Sequence, residues 1–179
     1  MITIEVNDPE VSAIFARIVA SLTDLTPLMQ DIGELLVFST KDRFDQGVSP
    51  DGVGWAPKSP TTIAAYTRRG EKVDFRPLFG TSGDLHKYIS FQADSNEVRV
   101  GSNLIYAAVM QFGAAQGAFG AHIGRTTPSE KQPKSQDHFH PVPWGNIPAR
   151  PFLGISEGDR TNIVATVTEW LDRIVAAGD

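Results

Sequence analysis

A chain of 179 residues, 41% hydrophobic and 21% charged, has the length and balance of one well-cored domain spanning 1–179, so neither disorder nor membrane insertion is expected. Its formal net charge of −5 argues against a dedicated nucleic-acid binder, whose affinity comes from Lys and Arg neutralising phosphates. The absence of cysteine excludes disulfides, thiolate metal sites and cysteine nucleophiles, and the acidic start MITIEVNDPE lacks the basic and apolar blocks of a signal peptide.

The first helix is signalled by Asp8 as cap and Pro9 at the first helical position, followed by Val11, Ile14, Phe15, Ile18, Val19 and Leu22 at helical spacing. A second begins at Thr26–Pro27, carries Leu28, Met29, Ile32, Leu35, Leu36 and Phe44, and stops at Gly47. The Gly- and Pro-rich stretch 48–60 is a loop holding Trp55. The first reading of this indole is a plug at the core edge, with its N–H finding one partner; the alternative is an exposed contact. Ser59, Pro60 and Thr61 start a short third helix that ends at Arg68–Gly70.

Alternation through Leu85, Lys87, Ile89, Phe91 and Ala93, a turn at Asp94–Asn96, and Val98 and Val100 beyond it predict a β-hairpin. Asn103 is then positioned to cap a helix through Phe112 that Gly113 stops. Tyr106 and Phe112 read as core rather than interface. Residues 114–147 are too long for an ordinary connection and are expected to form an extended hairpin arm, with strands near 118–125 and 138–142 and a polar tip between them. The stretch 149–155 reads as a strand. Ser156 and Asp159 resemble a capping pair ahead of a long terminal helix through Val175. This order predicts an α+β fold, a small mostly antiparallel sheet packed against several helices.

Chemistry is sparse. His138 and His140 stand two apart and His122 lies on the opposite strand of the arm, a spacing compatible with a metal but more often met by packing or solvated imidazoles, and no cofactor or metal is expected. The stretch GTSGD, 80–84, lacks the spacing of a nucleophile elbow and reads as a turn before a strand. No phosphate loop or paired carboxylates occur, so enzymatic activity is not expected. Arg150, held extended by Pro151, serves either as a salt bridge or carbonyl clamp beneath the sheet, or as a forked donor to a neighbouring subunit.

Several fragments together resemble one family. A Pro-x-Gly-x-x-Trp loop leading into a Ser-Pro-x-Thr helix start is matched, with shifted spacing, by Pro50, Gly52 or Gly54, Trp55, Ser59, Pro60 and Thr62. Val100, Gly101, Ser102, Tyr106 and Ala107, then Gln111, Phe112 and Gly113, and finally Pro148 to Gly154 match three further motifs. These resemble the virion morphogenesis, or tail completion, proteins of Mu-like phages, over about Leu28 to Leu171.

The resemblance implies a non-enzymatic virion component at the head-proximal end of a contractile tail, made in the host cytoplasm and assembled into the tail or neck. It implies a self-assembled ring, six being the number natural to such tails, that meets tail tube and sheath proteins below and neck or head–tail connector proteins above. DNA would only pass through its channel, and the net charge of −5 predicts that the subunit repels phosphates and lets DNA slide. The rival within this class is a connector adaptor on the portal side. Expected subunit or partner contacts are Trp55, Gln111, Arg150 and Phe152 in the motifs, and His122, His138, His140 and Trp144 in the arm.

Overall fold

The computed structural model describes residues 8–118, 121–125, 137–141 and 146–176, the second and third spans by backbone alone. In chain order these residues form helices α1 (Pro9–Thr23), α2 (Thr26–Gln46), α3 (Pro60–Arg68) and α4 (Asp84–Lys87), strands β1 (Ile89–Ala93) and β2 (Val98–Ser102), helix α5 (Ala107–Phe112), strands β3 (Ala121–Arg125) and β4 (Asp137–Pro141), and helix α6 (Glu157–Ala176). The architecture is α+β, helices gathered about a small antiparallel hairpin, with β3–β4 as a separate ladder.

The 21-residue helix α2 is the spine. Its first half buries Leu28 and Ile32 against Trp170 of α6, with Ile163, Val167 and Ile174 lining the same cluster. Its far end drives Phe44, fully buried, into a second cluster with Trp55, Leu78, Leu85, Ile89, Ala107 and Phe152. Helices α2 and α6 run antiparallel. Arg43 near the end of α2 pairs with Asp159 at the start of α6, and Arg173 near the end of α6 pairs with Asp31 at the start of α2.

Local signals are met where side chains close them. Asp8 accepts hydrogen bonds from the amides of Glu10 and Val11, Ser59 accepts from Thr62, and Ser156 and Asp159 form a reciprocal capping box at the start of α6. The hairpin turn is tied by Asp94, whose carboxylate accepts from Asn96 and Glu97. With Ile89 opposite Ser102 and Phe91 opposite Val100, the inward face of β1 is Ile89, Phe91 and Ala93, as the alternation predicts.

Four expectations are corrected. The strand starts only at Ile89, because Asp84–Lys87 coil into one helical turn that puts Leu85 into the core; GTSGD therefore leads into α4, not directly into a strand. The helix expected from Asn103 begins at Ala107. Its inward face is then Ala107, Met110 and Gln111, which turns Phe112 outward and leaves Tyr106 outside as well. Finally, 149–155 is extended but pairs with no strand.

Helix α1 forms as predicted but buries none of its residues. It leaves the start of α2 at a 61° bend and leans on α6, where Arg17 Nη2 approaches the Val175 carbonyl to 3.5 Å. Among the described residues no single helix is long and apolar enough to cross a membrane.

Gly33, to which the sequence reading gave no role, sets how closely β1 lies on α2. A Cβ there would fall 2.2 Å from Phe91 Cδ2. Gly33→Ala is therefore expected to lower stability by about 1–3 kcal/mol through overpacking, although alanine favours the helix by about 1 kcal/mol. Urea denaturation checks the sign, and trimming the ring in Gly33→Ala/Phe91→Leu should recover part of the loss.

Candidate functional site

Three of the residues in the family-like motifs, Trp55, Gln111 and Arg150, meet at one place, the extended segment Arg150–Gly154. A buried extended chain without a strand partner leaves amides and carbonyls that must be paired some other way. Here one backbone carbonyl and several side chains pair them. The Arg150 amide donates to the Met110 carbonyl, 2.8 Å, and the Pro151 carbonyl accepts from Trp55 Nε1, 2.9 Å. Gln111 Oε1 accepts from both the Phe152 and Leu153 amides at 2.9 and 3.0 Å, while its Nε2 donates to the Leu153 carbonyl at 3.0 Å. The Gly154 carbonyl accepts from Arg43 Nη2, 3.1 Å.

Arg150 works in the opposite direction. Its Nε donates to the Ala56 carbonyl at 2.7 Å and its Nη2 to the Pro57 carbonyl at 2.9 Å, so the guanidinium fixes the Trp55 loop from beneath. Burial makes it give up its proton more readily than a free arginine. The rings close around the same point. Phe44 stands edge-on to Trp55 at 5.6 Å and to Phe152 at 5.3 Å, a geometry worth about 0.5–1.5 kcal/mol per pair beyond area burial.

Beneath this clamp lies the buried pair Arg43–Asp159, 2.8 Å apart. Burial alone would raise the Asp159 pKa, but hydrogen bonds from Ser39, Ser156 and Arg43 outweigh it and hold the carboxyl below the usual range. Arg43 also donates to Thr40 Oγ1 at 3.0 Å. One guanidinium thus joins α2, the end of the extended segment and the start of α6.

The two ends of the stretch 114–147 are joined beside this clamp. Ala114 and Ile147 exchange both backbone hydrogen bonds, 2.9 and 2.8 Å, closing its base like a clasp. Gly113 makes this possible at φ +73°, since a Cβ there would meet the Ile147 carbonyl at 2.6 Å and the Ala149 nitrogen at 2.7 Å. Beyond the base, β3 pairs with β4 so that His122 stands opposite His140 and Gly124 opposite His138. Trp144 and the tip 126–136 lie outside the described residues.

Of the expected contact residues, Trp55, Arg150 and Phe152 are therefore buried within the protomer and Gln111 is committed to the extended segment. Trp55 is the core plug and Arg150 the carbonyl clamp of the two alternatives that the sequence offered each. Sequence reasoning missed Arg43 and Asp159 as partners; the capping signal at Ser156 located Asp159, but nothing local pointed from it to Arg43.

A second polar cluster frames an open depression of about 460 Å³ lined in part by Phe75, Arg76, Phe79 and Thr81. Arg76, which lines it, and the neighbouring Lys58 are already engaged. Arg76 donates to Asp74 and Asp45 and lies over the Phe79 ring, its hydrogen bond holding the Asp74 carboxyl at about 2. Lys58 donates to the Asp74 and Phe79 carbonyls, and burial chiefly lowers its pKa. These contacts anchor a loop to α2.

Residues 6–172 match the phage virion morphogenesis family. The chain belongs to that family. It is similar to the Mu-like prophage FluMu G protein 2 of Haemophilus influenzae, with 26% identity over 176 residues that cover 98% of this chain and 99% of that protein. No solved structure matches. Family membership makes this a protein of phage virion assembly, and in it the clamp is the part of the fold that gathers Trp55, Gln111 and the segment Pro148–Gly154.

Two outcomes follow for this clamp. Gln111→Leu keeps the size but strips three buried backbone groups of their partner, so a loss of about 2–4 kcal/mol is expected in chemical denaturation. Asp159→Asn leaves Arg43 buried beside a neutral group and should cost about 3–5 kcal/mol. Because the folded carboxyl titrates below its unfolded value of ~3.9, its contribution is complete above that pH and is lost as pH falls through the folded value. Stability of the wild type should therefore drop more steeply with acid than that of Asp159→Asn.

Proposed function

We propose that this protein completes the head-proximal end of a contractile phage tail as a ring, six subunits being the number that matches the tail tube, and readies the tail for joining to the head. The observation that carries the reading is the combination of a self-clamped body with an arm rooted at Ala114–Ile147, in a chain that the virion morphogenesis family covers almost throughout. A base closed by two backbone hydrogen bonds and a separate ladder beyond it suit a subunit that reaches its neighbour. The similarity to a Mu-like prophage protein favours a contractile tail. In this reading the protein acts by contact alone and catalyses nothing, and its partners are tail tube, sheath and neck proteins.

The ring encloses the path of the DNA without gripping it. A net charge of −5 favours sliding over retention, because phosphate binding needs cations free to displace counterions. Arg69 and Arg76, two of the basic side chains beside α3 and its following loop, are paired with Glu71 and Asp74.

Disrupting the gene in a phage or prophage that carries it and imaging the particles by electron microscopy tests this. Filled heads and free tails accumulating separately, with ragged or over-long upper tail ends, are the expected outcome. Normal joined virions, or loss of tails altogether, would place the protein at another step; intact tail ends with unjoined heads would favour the portal-side adaptor.

A further inference from the structure

The proposed ring needs two different surfaces on each subunit that fit one another, since head-to-tail contact is what closes by rotation. We infer that those surfaces are the exposed stripe of α1 on one copy and the apolar shoulder around α5 on the next. This rests on the self-assembly reading above and specifies its contact.

The first surface is Val11, Phe15, Val19 and Leu22. They form one stripe of α1, adjoining the side that leans on α6, and Phe15 and Val19 leave 62% and 64% of their surface in water. Between Glu10 and Asp24 the single charged residue is Arg17, and it is turned inward to the Val175 carbonyl. The outer side of this helix is thus without charge.

The second surface is Ile105, Tyr106 and Phe112, with Ile105 at 96% and Phe112 at 78% exposure. From Gly101 to Ala121 the sequence holds no Asp, Glu, Lys or Arg, in a chain where charged residues make up 21%. Such depletion of charge, with aromatic residues exposed, is the compositional mark of an interface core.

Their placement favours pairing between copies. Helix α1 joins the start of α2 and rests on the end of α6. Helix α5 sits at the other end, where Gln111 holds the segment of Phe152 that packs on Phe44. The 21-residue α2 separates the two poles by about 30 Å, so one protomer cannot satisfy both against itself. The areas also agree: the exposed parts of the two sets come to roughly 400 Å² each, near the apolar share of a standard interface of about 1,200–2,000 Å².

Sedimentation velocity on the purified full chain tests the contact. Wild type should self-associate with rising concentration, whereas Phe15→Glu/Val19→Glu and Ile105→Glu/Phe112→Glu should each lose association while keeping the wild-type circular dichroism. Mixing the two variants should restore a dimer and nothing larger, because each retains one intact pole. If both variants still associate like wild type, the poles are not the contact and the self-assembly reading survives; if wild type itself stays monomeric, both fail. If only the α5-pole variant still dimerises, the α1 stripe pairs with itself and the head-to-tail contact is overturned. Since the chain has no cysteine, Val19→Cys and Phe112→Cys provide a second reading: oxidation should cross-link a mixture of the two and neither alone. Cross-linking of Val19→Cys by itself would overturn the inference.

Discussion

An extended segment that crosses a protein interior without joining a sheet depends largely on side chains to receive its polar groups, and Arg150–Gly154 is held in this way, with one backbone bond from the Arg150 amide to Met110. Trp55, Gln111 and Arg43 come from three separate parts of the chain; Trp55 and Arg43 serve one backbone group each and Gln111 three. A net hydrogen bond is worth about 0.5–1.5 kcal/mol, but a buried group left unpaired costs about 1–3. The second figure governs here. Removing any one donor or acceptor leaves an unpaired group on the segment, so the Trp55 loop, α5 and the α2–α6 pair have to form together.

The two ion pairs along α2 and α6 show why one end matters more. Arg173–Asp31 is exposed, at 3.0 Å, and surface pairs contribute about 0–1 kcal/mol. Arg43–Asp159 is buried, and its weight comes less from attraction than from what its loss would strand. The buried end adjoins the clamp, where Arg43 also holds the Gly154 carbonyl, so the polar contacts concentrate there. At the other end Leu28, Ile32 and Trp170 are buried, but α1, which departs there at 61°, buries none of its residues.

How much of this was legible follows the range of the interaction. Caps and stops act within four residues, and Asp8, Ser59, Gly47 and the Ser156–Asp159 box are all where the sequence places them. The α+β class, the β1–β2 hairpin and the Trp55 plug rest on periodicity and on one aromatic needing one partner. The strand expected at 149–155 failed because extended backbone and a strand look alike in sequence; what distinguishes them is the partner, here Gln111, some 40 residues away. Phe112 was misread for a related reason. Helical spacing fixes which residues share a face but not which face turns inward, and Gln111, by binding the extended segment, decides it. Arg43 and Gly33 act on residues 116 and 58 positions away, and no local pattern announces either.

This separates two kinds of residue that a motif search merges. Among the positions that carry the resemblance, Trp55 and Gln111 are held to narrow geometry by hydrogen bonds: only a side chain of the length of glutamine, with both an acceptor and a donor, serves three backbone groups at once. An apolar contact between subunits asks only for area and the exclusion of charge, which Val, Leu, Ile and Phe satisfy interchangeably at little cost. The motifs of this chain hold both kinds, Gln111 fixing the subunit's shape while Tyr106 and Phe112 face water. Its contacts are sought where charge is missing and apolar side chains face water, as on α1 and beside α5.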